Sequence, residues 1–250
     1  MHSRAVGIRD FVALLMLAAP VGAWASVDCI ARSGPARPQL VELYTSEGCS
    51  SCPPADRWLS RLPASAGLVR LAFHVDYWDD LGWPDRYADP RYAQRQSIQA
   101  ARDGHATVYT PEVVVDGREW RRWSSGLPAR AAAPAPIALA LSIRSGDRLE
   151  LALVSADGAS LPAADVHFAV TEYGLSSAVR AGENRGKRLA HDHVVRAYAG
   201  PLPLDDARAA IELPTGLDRQ RATVVAYAQA RGGGEILQVV QQSLATCGSH

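Results

Sequence analysis

Two cysteines, Cys49 and Cys52, lie in the stretch ELYTSEGCSSCPPAD, between an apolar run and two consecutive prolines. Proline has no backbone N–H and fits an α-helix only in its first turn, so the prolines predict that a helix begins just after Cys52. The run QLVELY before the cysteines, residues 39–44, predicts a buried strand. The stretch therefore limits the chain to folds in which a strand leads through a tight turn and a dithiol into a helix.

The next apolar run, from Leu68 to Tyr77, predicts a second strand that is buried on both faces, as in a parallel sheet. A helix between two parallel strands makes a βαβ unit, which is expected to be right-handed. Residues 78–104 have the pattern of an insertion, with a loop and a helix from Pro90 to Ala101. The string VYTPEVVVDGREW then predicts two antiparallel strands joined at Asp116–Gly117. We therefore expect an α/β domain, a mixed sheet with flanking helices, over residues 38–127.

The second half of the chain has a different pattern. Residues 128–136 are rich in alanine and proline and predict a linker. From residue 137 to residue 247, short alternating strands follow one another with turns between them and little helix. This half is expected to form a small all-β domain resembling a sandwich.

The first 25 residues have the pattern of a secretory signal peptide. Arg4 and Arg9 precede an apolar stretch from Phe11 to Ala19, and Ala23–Ala25 supplies small residues for cleavage. The apolar stretch is short for a membrane span, and no later segment approaches the roughly 20 apolar residues that a transmembrane helix needs. We expect a periplasmic or secreted protein without a transmembrane segment after signal removal; an uncleaved anchor is the alternative.

Charge gives no indication of a nucleic-acid partner. The 26 basic residues equal the 26 acidic residues, so no excess of positive charge points to nucleic acid or to an anionic membrane. The expected partners follow from the dithiol instead: a protein or a small molecule that carries a thiol or a disulfide, and a redox partner of unknown identity.

All four cysteines lie beyond the predicted cleavage point. An even number in an oxidising compartment favours two pairs, and the short spacing suggests that Cys49 pairs with Cys52. Cys29 and Cys247 remain, and a bridge between them would tie the two ends of the mature chain together. Free thiols or an intermolecular bridge are the alternatives.

The dithiol itself has three interpretations. At a helix N-terminus, unpaired N–H groups would stabilise a Cys49 thiolate, which makes Cys49 the predicted nucleophile and Cys52 the resolving thiol. A permanent structural disulfide is the second interpretation. A soft metal held by the two cysteines and His74 is the third, but no fixed histidine spacing supports it. We expect no metal and no cofactor.

His74 and Asp76 end the second strand and would share one face of it. The carboxyl ends of parallel strands line the ligand crevice of open α/β sheets. The two side chains would therefore either transfer a proton to the leaving thiol or support the inserted loop by hydrogen bonds. His191 and His193 alternate onto one face of a further strand and are expected to be exposed to solvent.

Three strings in order, ELYTSEGCSSCPPAD, LAFHVDYWDDLGWPD and VYTPEVVVDG, resemble the secreted thioredoxin-like family known as domain of unknown function 1223. The resemblance covers roughly residues 39–127 and continues more weakly through GENRGKRLAHDHVVR. It implies a thioredoxin-like fold for the first domain. It also implies a cis peptide at Thr110–Pro111, where the backbone of Thr110 would orient an extended substrate. The alternative is a trans proline that starts an edge strand.

These features together predict an exported thiol–disulfide oxidoreductase with a Cys-x-x-Cys dithiol. The alternative is a non-enzymatic thioredoxin-like binding module whose dithiol is structural or binds a soft metal. Spacing alone leaves the direction of the redox reaction open, because the potential depends on the surroundings of the sulfur atoms.

Overall fold

The structure, a computed structural model, describes residues 28–65, 67–129, 134–146, 148–156 and 163–247. The predicted signal peptide, residues 1–25, lies outside the described residues. So does the central part of the predicted linker 128–136, at residues 130–133.

The described residues form fourteen β-strands and two α-helices. The strands are β1 Cys29–Arg32, β2 Gln39–Thr45, β3 Leu68–His74, β4 Glu112–Val115, β5 Arg118–Glu119, β6 Leu139–Ser145, β7 Arg148–Ser155, β8 Ala164–Glu172, β9 Leu175–Ala178, β10 Arg188–His191, β11 Val194–Pro203, β12 Ala207–Glu212, β13 Ala222–Ala230 and β14 Ile236–Ser243. The helices are α1 Pro53–Arg61 and α2 Pro90–Arg102.

The strands make three sheets. Eight strands form a mixed sheet in the order β14-β13-β8-β11-β3-β2-β4-β5, in which β3 runs parallel to both β2 and β11. Four strands form an antiparallel sheet in the order β1-β6-β7-β12, and β9 and β10 form a separate hairpin. The eight-stranded sheet therefore contains strands from both halves of the chain.

The predicted fold class, a helix-flanked thioredoxin-like α/β domain followed by a small all-β sandwich-like domain, is wrong. The described chain is mostly β, with only two α-helices, and β11 from the second half pairs with β3 from the first. A buried strand edge needs partners for its N–H and C=O groups, and β11 supplies them to β3. Hydrophobic patterns predict single strands but not which distant strand will complete a sheet.

Both helices begin where local chemistry dictates. Cys52 precedes two prolines at the start of α1, and Asp89 caps α2 by accepting a hydrogen bond from the N–H of Arg91. The residue before a proline avoids helical geometry. Accordingly, α1 ends at Arg61, and Leu62, which precedes Pro63, has an extended ψ of 137°. The chain thus turns back towards β3 after a short helix.

The central strands carry different side chains on their two faces. On one face, Leu40, Tyr44 and Phe73 pack with Tyr92 of α2. On the other face, alternate residues of β2 and β3 pack against the apolar side of α1, where Leu59 is fully buried and contributes about 2 kcal/mol to folding. This second face leads to the dithiol, because α1 begins there.

A third apolar cluster fills the space between the second half of the large sheet and the four-stranded sheet. It contains fully buried residues such as Leu141, Phe168 and Val224. This cluster holds the two large sheets together.

Candidate functional site

The dithiol forms a closed disulfide at the amino end of α1. Cys49 and Cys52 are bonded, with their Cα atoms 5.4 Å apart, and Cys52 already has helical dihedral angles. The Sγ atom of Cys49 lies 3.3 Å from the hydroxyl of Ser51. Both cysteines have an exposed fraction of 0%, although Ser50 and Ser51 between them are exposed. A reagent that reaches the sulfur atoms must therefore displace a covering group.

The turn of the β9–β10 hairpin is hydrogen-bonded to the backbone of the dithiol loop. Asn184, which is fully buried, donates hydrogen bonds of 2.9 Å to the carbonyl oxygens of Glu47 and Cys49. The N–H of Ser50 donates to Glu183 at 2.9 Å, and this bond lowers the pKa of the Glu183 carboxyl. Three hydrogen bonds thus join this turn to the dithiol loop.

The inserted segment packs against the other side of the dithiol loop. A Cβ at Gly48 would lie 3.0 Å from the Cβ of Trp78, so a larger residue there would push Trp78 away from the loop. The indole Nε1 of Trp78 donates to the hydroxyl of Thr110 at 2.8 Å, and the Thr110–Pro111 peptide is cis. Trp78 thus connects the dithiol loop to Thr110 and Pro111.

A buried acid–base cluster lies under the same loop, and its first pair is His74 with Asp85. Their Nδ1 and Oδ2 atoms are 2.7 Å apart, and both side chains are fully buried. Burial would lower the pKa of His74, but the charge and hydrogen bond of Asp85, aided by Asp56 and Glu47, raise it. Burial would raise the pKa of Asp85, but His74 lowers it. Each partner therefore favours the charged form of the other.

The second pair is Glu47 with His191. The Nε2 atom of His191 lies 3.1 Å from Oε1 of Glu47, and the indole of Trp83 donates to Oε2 at 2.8 Å. Burial would raise the pKa of Glu47, but the hydrogen bond to His191 and other donors lower it. The ring centres of His74, His191 and Tyr87 are 5.0 to 5.8 Å apart, so the two pairs meet around one small space.

Asp56 links this cluster to the disulfide. It lies four residues after Cys52 on α1, is buried, and accepts a hydrogen bond of 3.2 Å from the hydroxyl of Thr45. Burial raises the pKa of Asp56, and the nearby His74 and His191 oppose this rise only in part. The site therefore brings together a disulfide, a buried carboxyl with a raised pKa and two carboxyl–histidine pairs.

The residues expected from the sequence occupy different places. His74 belongs to the cluster, but Asp76 lies outside it, half-buried, and the carboxylate that holds His74 is Asp85. The expectation that His191 is exposed to solvent is wrong, since it is 2% exposed and contacts Glu47. His193 is half-buried beyond β10.

Cys29 and Cys247 form a second disulfide, with Cα atoms 5.3 Å apart. It joins β1 to the segment after β14 and lies apart from the acid–base cluster. In the part of the chain that the structure describes, no group of three or more histidine, cysteine, aspartate or glutamate side chains could hold a metal ion. Within the same residues, no helix is long and apolar enough to cross a membrane.

Sequence reasoning missed five of the cluster's residues: Glu47, Asp56, Asp85, Asn184 and His191. One of them had a signal, since Asp56 follows Cys52 by four residues in a predicted helix and must therefore share its face. Glu47 lies two residues before Cys49 in the dithiol loop itself. Asp85, Asn184 and His191 come from separate segments, and no spacing connects them.

One comparison with known proteins identifies a family. A family model described as "Protein of unknown function (DUF1223)" matches residues 40–229. No curated protein matches the chain by sequence.

Two solved structures are similar in fold. One is the crystal structure of protein AGR_C_4864 from Agrobacterium tumefaciens, at 24% identity and a TM-score of 0.56; the match covers 85% of this chain and 95% of that one. The other is HBP35 of Porphyromonas gingivalis, at 14% identity and a TM-score of 0.57, covering 84% of this chain and 76% of that one. At these identities the likeness concerns the fold alone.

Proposed function

Because the chain belongs to the DUF1223 family of proteins of unknown function, its activity must be inferred from its own residues, and we propose that it is an exported thiol–disulfide oxidoreductase. Cys49 is the nucleophile, Cys52 is the resolving thiol, and Thr110 and Pro111 orient the substrate. The substrate is a protein or a small molecule that carries a thiol or a disulfide.

The observation that carries the proposal is the short span of the Cys49–Cys52 disulfide beside a buried acid–base cluster. A disulfide stabilises a fold mainly by restricting the unfolded chain, and the effect grows with the length of the loop. By this dependence on loop length, the Cys49–Cys52 bridge, which spans 3 residues, contributes about 2 kcal/mol to the free energy of unfolding. The Cys29–Cys247 bridge spans 218 residues and is worth about 5 kcal/mol. The Cys29–Cys247 bridge therefore contributes more to stability, and we assign disulfide exchange to the Cys49–Cys52 bridge.

The position of the cysteines also supports exchange. The positive end of the α1 dipole lies beside Cys52, and it stabilises negative charge on a nearby sulfur, as a reactive thiolate requires. The cover over the disulfide is a hairpin turn held by hydrogen bonds from Asn184 and to Glu183, rather than part of a large sheet. Substrate would gain access when this turn moves.

The second candidate is a non-enzymatic binding module in which the Cys49–Cys52 disulfide is structural or the reduced cysteines bind a soft metal. The complete burial of both sulfur atoms favours this candidate, because a structural disulfide gains from being inaccessible. The two candidates differ in reduction potential. A structural disulfide has a potential below roughly −300 mV, and a catalytic one lies closer to that of thioredoxin.

The deciding experiment is a redox titration of the mature protein against a series of glutathione buffers. Thiol alkylation and mass spectrometry would follow each pair separately, and Cys29–Cys247 serves as an internal reference that is expected to stay oxidised. We expect reversible two-electron exchange of Cys49 and Cys52, lost in Cys49→Ser. A pair that stays oxidised throughout, or that reacts only after a chelator removes bound metal, would show the second candidate to be correct.

A further inference from the structure

A cavity of about 370 Å³ lies between α2 and the eight-stranded sheet. Side chains of α2 line one side of it, residues of β8, β11 and β13 line the other, and the turn between β13 and β14 completes the lining. The helix packs on the face of the sheet that carries Phe73 and Tyr227, whereas α1 and the disulfide lie on the other face. The cavity is therefore separate from the disulfide, and its volume is large enough for a small organic molecule.

A bulge in β11 shapes one side of this cavity. The register between β11 and β8 shifts between Ala199 and Leu202. The two residues of the bulge, Gly200 and Pro201, line the cavity. A Cβ at Gly200 would lie 2.8 Å from Nδ1 of His167, and the φ of +135° at this position also favours glycine. The missing side chain at Gly200 thus leaves His167 at the surface of the cavity, as bulges beside binding sites often do for a nearby side chain.

His167 of β8 offers a hydrogen-bond donor to the cavity. Burial and the positive charge of the nearby Arg95 lower the pKa of His167 well below its usual value, so the ring is neutral at pH 7. Its Nδ1 lies 2.6 Å from the hydroxyl of Tyr198, which can donate its proton to Nδ1. The ring proton then lies on Nε2, and no described residue accepts a hydrogen bond from Nε2. This donor is therefore available to a ligand.

Arg95 of α2 offers a charged donor to the same cavity. Its side chain is 10% exposed, and its Nε and Nη2 atoms donate to Glu42 at 2.9 and 2.6 Å. Nη2 also donates to Gln229 at 3.3 Å, so the hydrogens of Nη1 are used by neither partner. A buried ion pair often stabilises a fold no better than apolar residues would, because removing both charges from water is costly. The position of Arg95 in the wall of a cavity is better explained by a bound ligand than by folding alone.

The other walls of the cavity are mostly apolar. Ile98 of α2, which is 48% exposed, and Pro201 of β11 supply apolar contacts. The side chain of Ile98 lies beside Gly233 of the β13–β14 turn, where a Cβ would be 3.9 Å from its Cγ2 atom. Apolar walls with a few placed polar groups are typical of sites for small amphipathic molecules.

The remaining charges set the direction in which such a molecule binds. Asp165 of β8 carries a negative charge and accepts a hydrogen bond of 3.2 Å from the N–H of Gly232. Arg91 at the start of α2 is already paired with Asp89 at 2.6 Å. A ligand carboxylate is repelled by Asp165 and attracted by Arg95, so its acid group is directed to the part of the cavity that holds Arg95.

We propose that this cavity binds a small carboxylic acid with an apolar body, either an aromatic or a medium-chain aliphatic acid. The carboxylate lies at Nη1 of Arg95 and Nε2 of His167, and the apolar body packs against Ile98 and Pro201. The guanidinium group suits this role because its donors match a carboxylate in both charge and geometry. The site goes beyond thiol–disulfide exchange, since no cysteine takes part in it.

The test is titration of the mature protein with 3-phenylpropionate and with hexanoate, followed by calorimetry and by ¹H–¹⁵N NMR. The matched ligand is 3-phenylpropanamide, which has the same apolar body without the charge. Hydrogen bonds to a charged acceptor are the stronger ones, so we expect 3-phenylpropionate to bind at least about 10-fold more tightly than the amide. The NMR signals of the His167 side chain and of the Gly233 backbone should shift during the titration.

Substitutions at Ile98 test where the ligand binds. Ile98→Glu places a negative charge in the wall of the cavity and should weaken binding of 3-phenylpropionate by at least about 10-fold. Ile98→Gln is similar in size without the charge and should keep most of the affinity. Val154→Glu adds the same charge on β7 at a residue that is 49% exposed, and it should bind like the natural protein. Both positions are exposed, so the variants should fold.

The result does not depend on the chemistry of the disulfide. Equal affinities for the acid and the amide, or equal effects of Ile98→Glu and Val154→Glu, would overturn the inference. So would the lack of saturable binding of either acid at concentrations up to about 10 mM, since ligands of this size reach that range in a matching site. The glutathione titration decides separately whether the protein is an oxidoreductase.

Discussion

Glu112, a buried carboxyl on β4 next to Pro111, makes the stability of the protein depend on pH. Burial, together with the charges of Glu119 and Glu42, raises its pKa from 4.5 to about 7, although a hydrogen bond from Gln96 opposes the rise. An acid whose pKa is higher in the folded state binds its proton more tightly there than in the unfolded chain. Its contribution to stability is therefore present below pH 4.5 and is lost as the pH rises towards 7.

The first prediction is that Glu112→Gln removes this loss. The natural protein should lose about 3 kcal/mol of unfolding free energy at this group between pH 4.5 and pH 8, and the variant should not. Urea denaturation at both pH values measures the difference. Glu150→Gln, an exposed carboxyl on β7, is the control and should keep the natural pH dependence. An unchanged pH dependence in Glu112→Gln would contradict the explanation.

Asp85 makes the stability of the protein depend on pH in the direction opposite to Glu112, and it also accepts several structural hydrogen bonds. It accepts hydrogen bonds from the N–H groups of Glu47 and Tyr87 and from His74. Because its pKa is lowered in the folded state, its contribution is present above its ordinary pKa and is lost as the pH falls. The pKa of His74 is raised in the folded state, so the contribution of His74 to stability is lost as the pH rises.

The second prediction is that Asp85→Asn destabilises the protein by about 3 kcal/mol at pH 7, because a buried pair loses one partner and the N–H groups of Glu47 and Tyr87 lose their charged acceptor. The comparison is Asp80→Asn, an exposed residue of the same segment, for which a change within about 0.5 kcal/mol is expected. Urea denaturation of the two variants measures both values. Equal stability of the two variants would mean that the His74–Asp85 pair contributes nothing.

At the scale of elements, the β9–β10 hairpin controls access to the disulfide. The third prediction is that Asn184→Ala, which removes two hydrogen bonds to the dithiol loop, raises the rate at which dithiothreitol opens Cys49–Cys52 by about 10-fold. Arg185→Ala changes an exposed neighbour in the same turn and should leave the rate unchanged. Alkylation and mass spectrometry report both rates. If Asn184→Ala reacts no faster, the hairpin is not the barrier to access.

The elements differ in how far the sequence could predict them. The strand expected at residues 39–44 is β2, Gln39–Thr45, and the helix expected from Pro90 to Ala101 is α2, Pro90–Arg102. Both predictions are confirmed, because apolar periodicity and proline position are local properties. The pairing of β3 with β11 joins residues such as Ala72 and Val194, which are far apart in sequence, and no local rule selects that partner.

In the candidate site, too, some contacts could be predicted from local sequence and others could not. The dithiol and Asp56 lie within one strand–turn–helix segment, so helical spacing alone relates them. The Glu47–His191 contact depends on how the hairpin from the second half folds over the first, and the His74–Asp85 contact depends on the path of the inserted segment. Such contacts follow from tertiary packing, which spacing along the chain does not encode.

At the scale of the whole molecule, both large sheets and one disulfide join the two halves of the chain. The eight-stranded sheet contains β2, β3, β4 and β5 from the first half and β8, β11, β13 and β14 from the second. The Cys29–Cys247 disulfide then joins β1 to the end of the described chain. The dithiol loop and its cover, which come from different halves, are therefore held in place by the same large sheet.

The fourth prediction concerns the different roles of the two disulfides. The double variant Cys29→Ala/Cys247→Ala should lose up to about 5 kcal/mol of unfolding free energy, because the unfolded chain gains the freedom of a loop closed over 218 residues. The double variant Cys49→Ala/Cys52→Ala should lose only about 2 kcal/mol, since its loop spans 3 residues. Denaturation of both variants under oxidising conditions compares the two bridges.

Exchange with glutathione should also distinguish the two disulfides. In the Cys29→Ala/Cys247→Ala variant, Cys49 and Cys52 should still exchange with glutathione, because the acid–base cluster and the cover of Asn184 do not depend on the terminal bridge. In the Cys49→Ala/Cys52→Ala variant, no exchange with glutathione should remain. A larger loss of stability on removing the short bridge than on removing the long one would reverse the assignment, making Cys49–Cys52 the staple and leaving the acid–base cluster without a redox role.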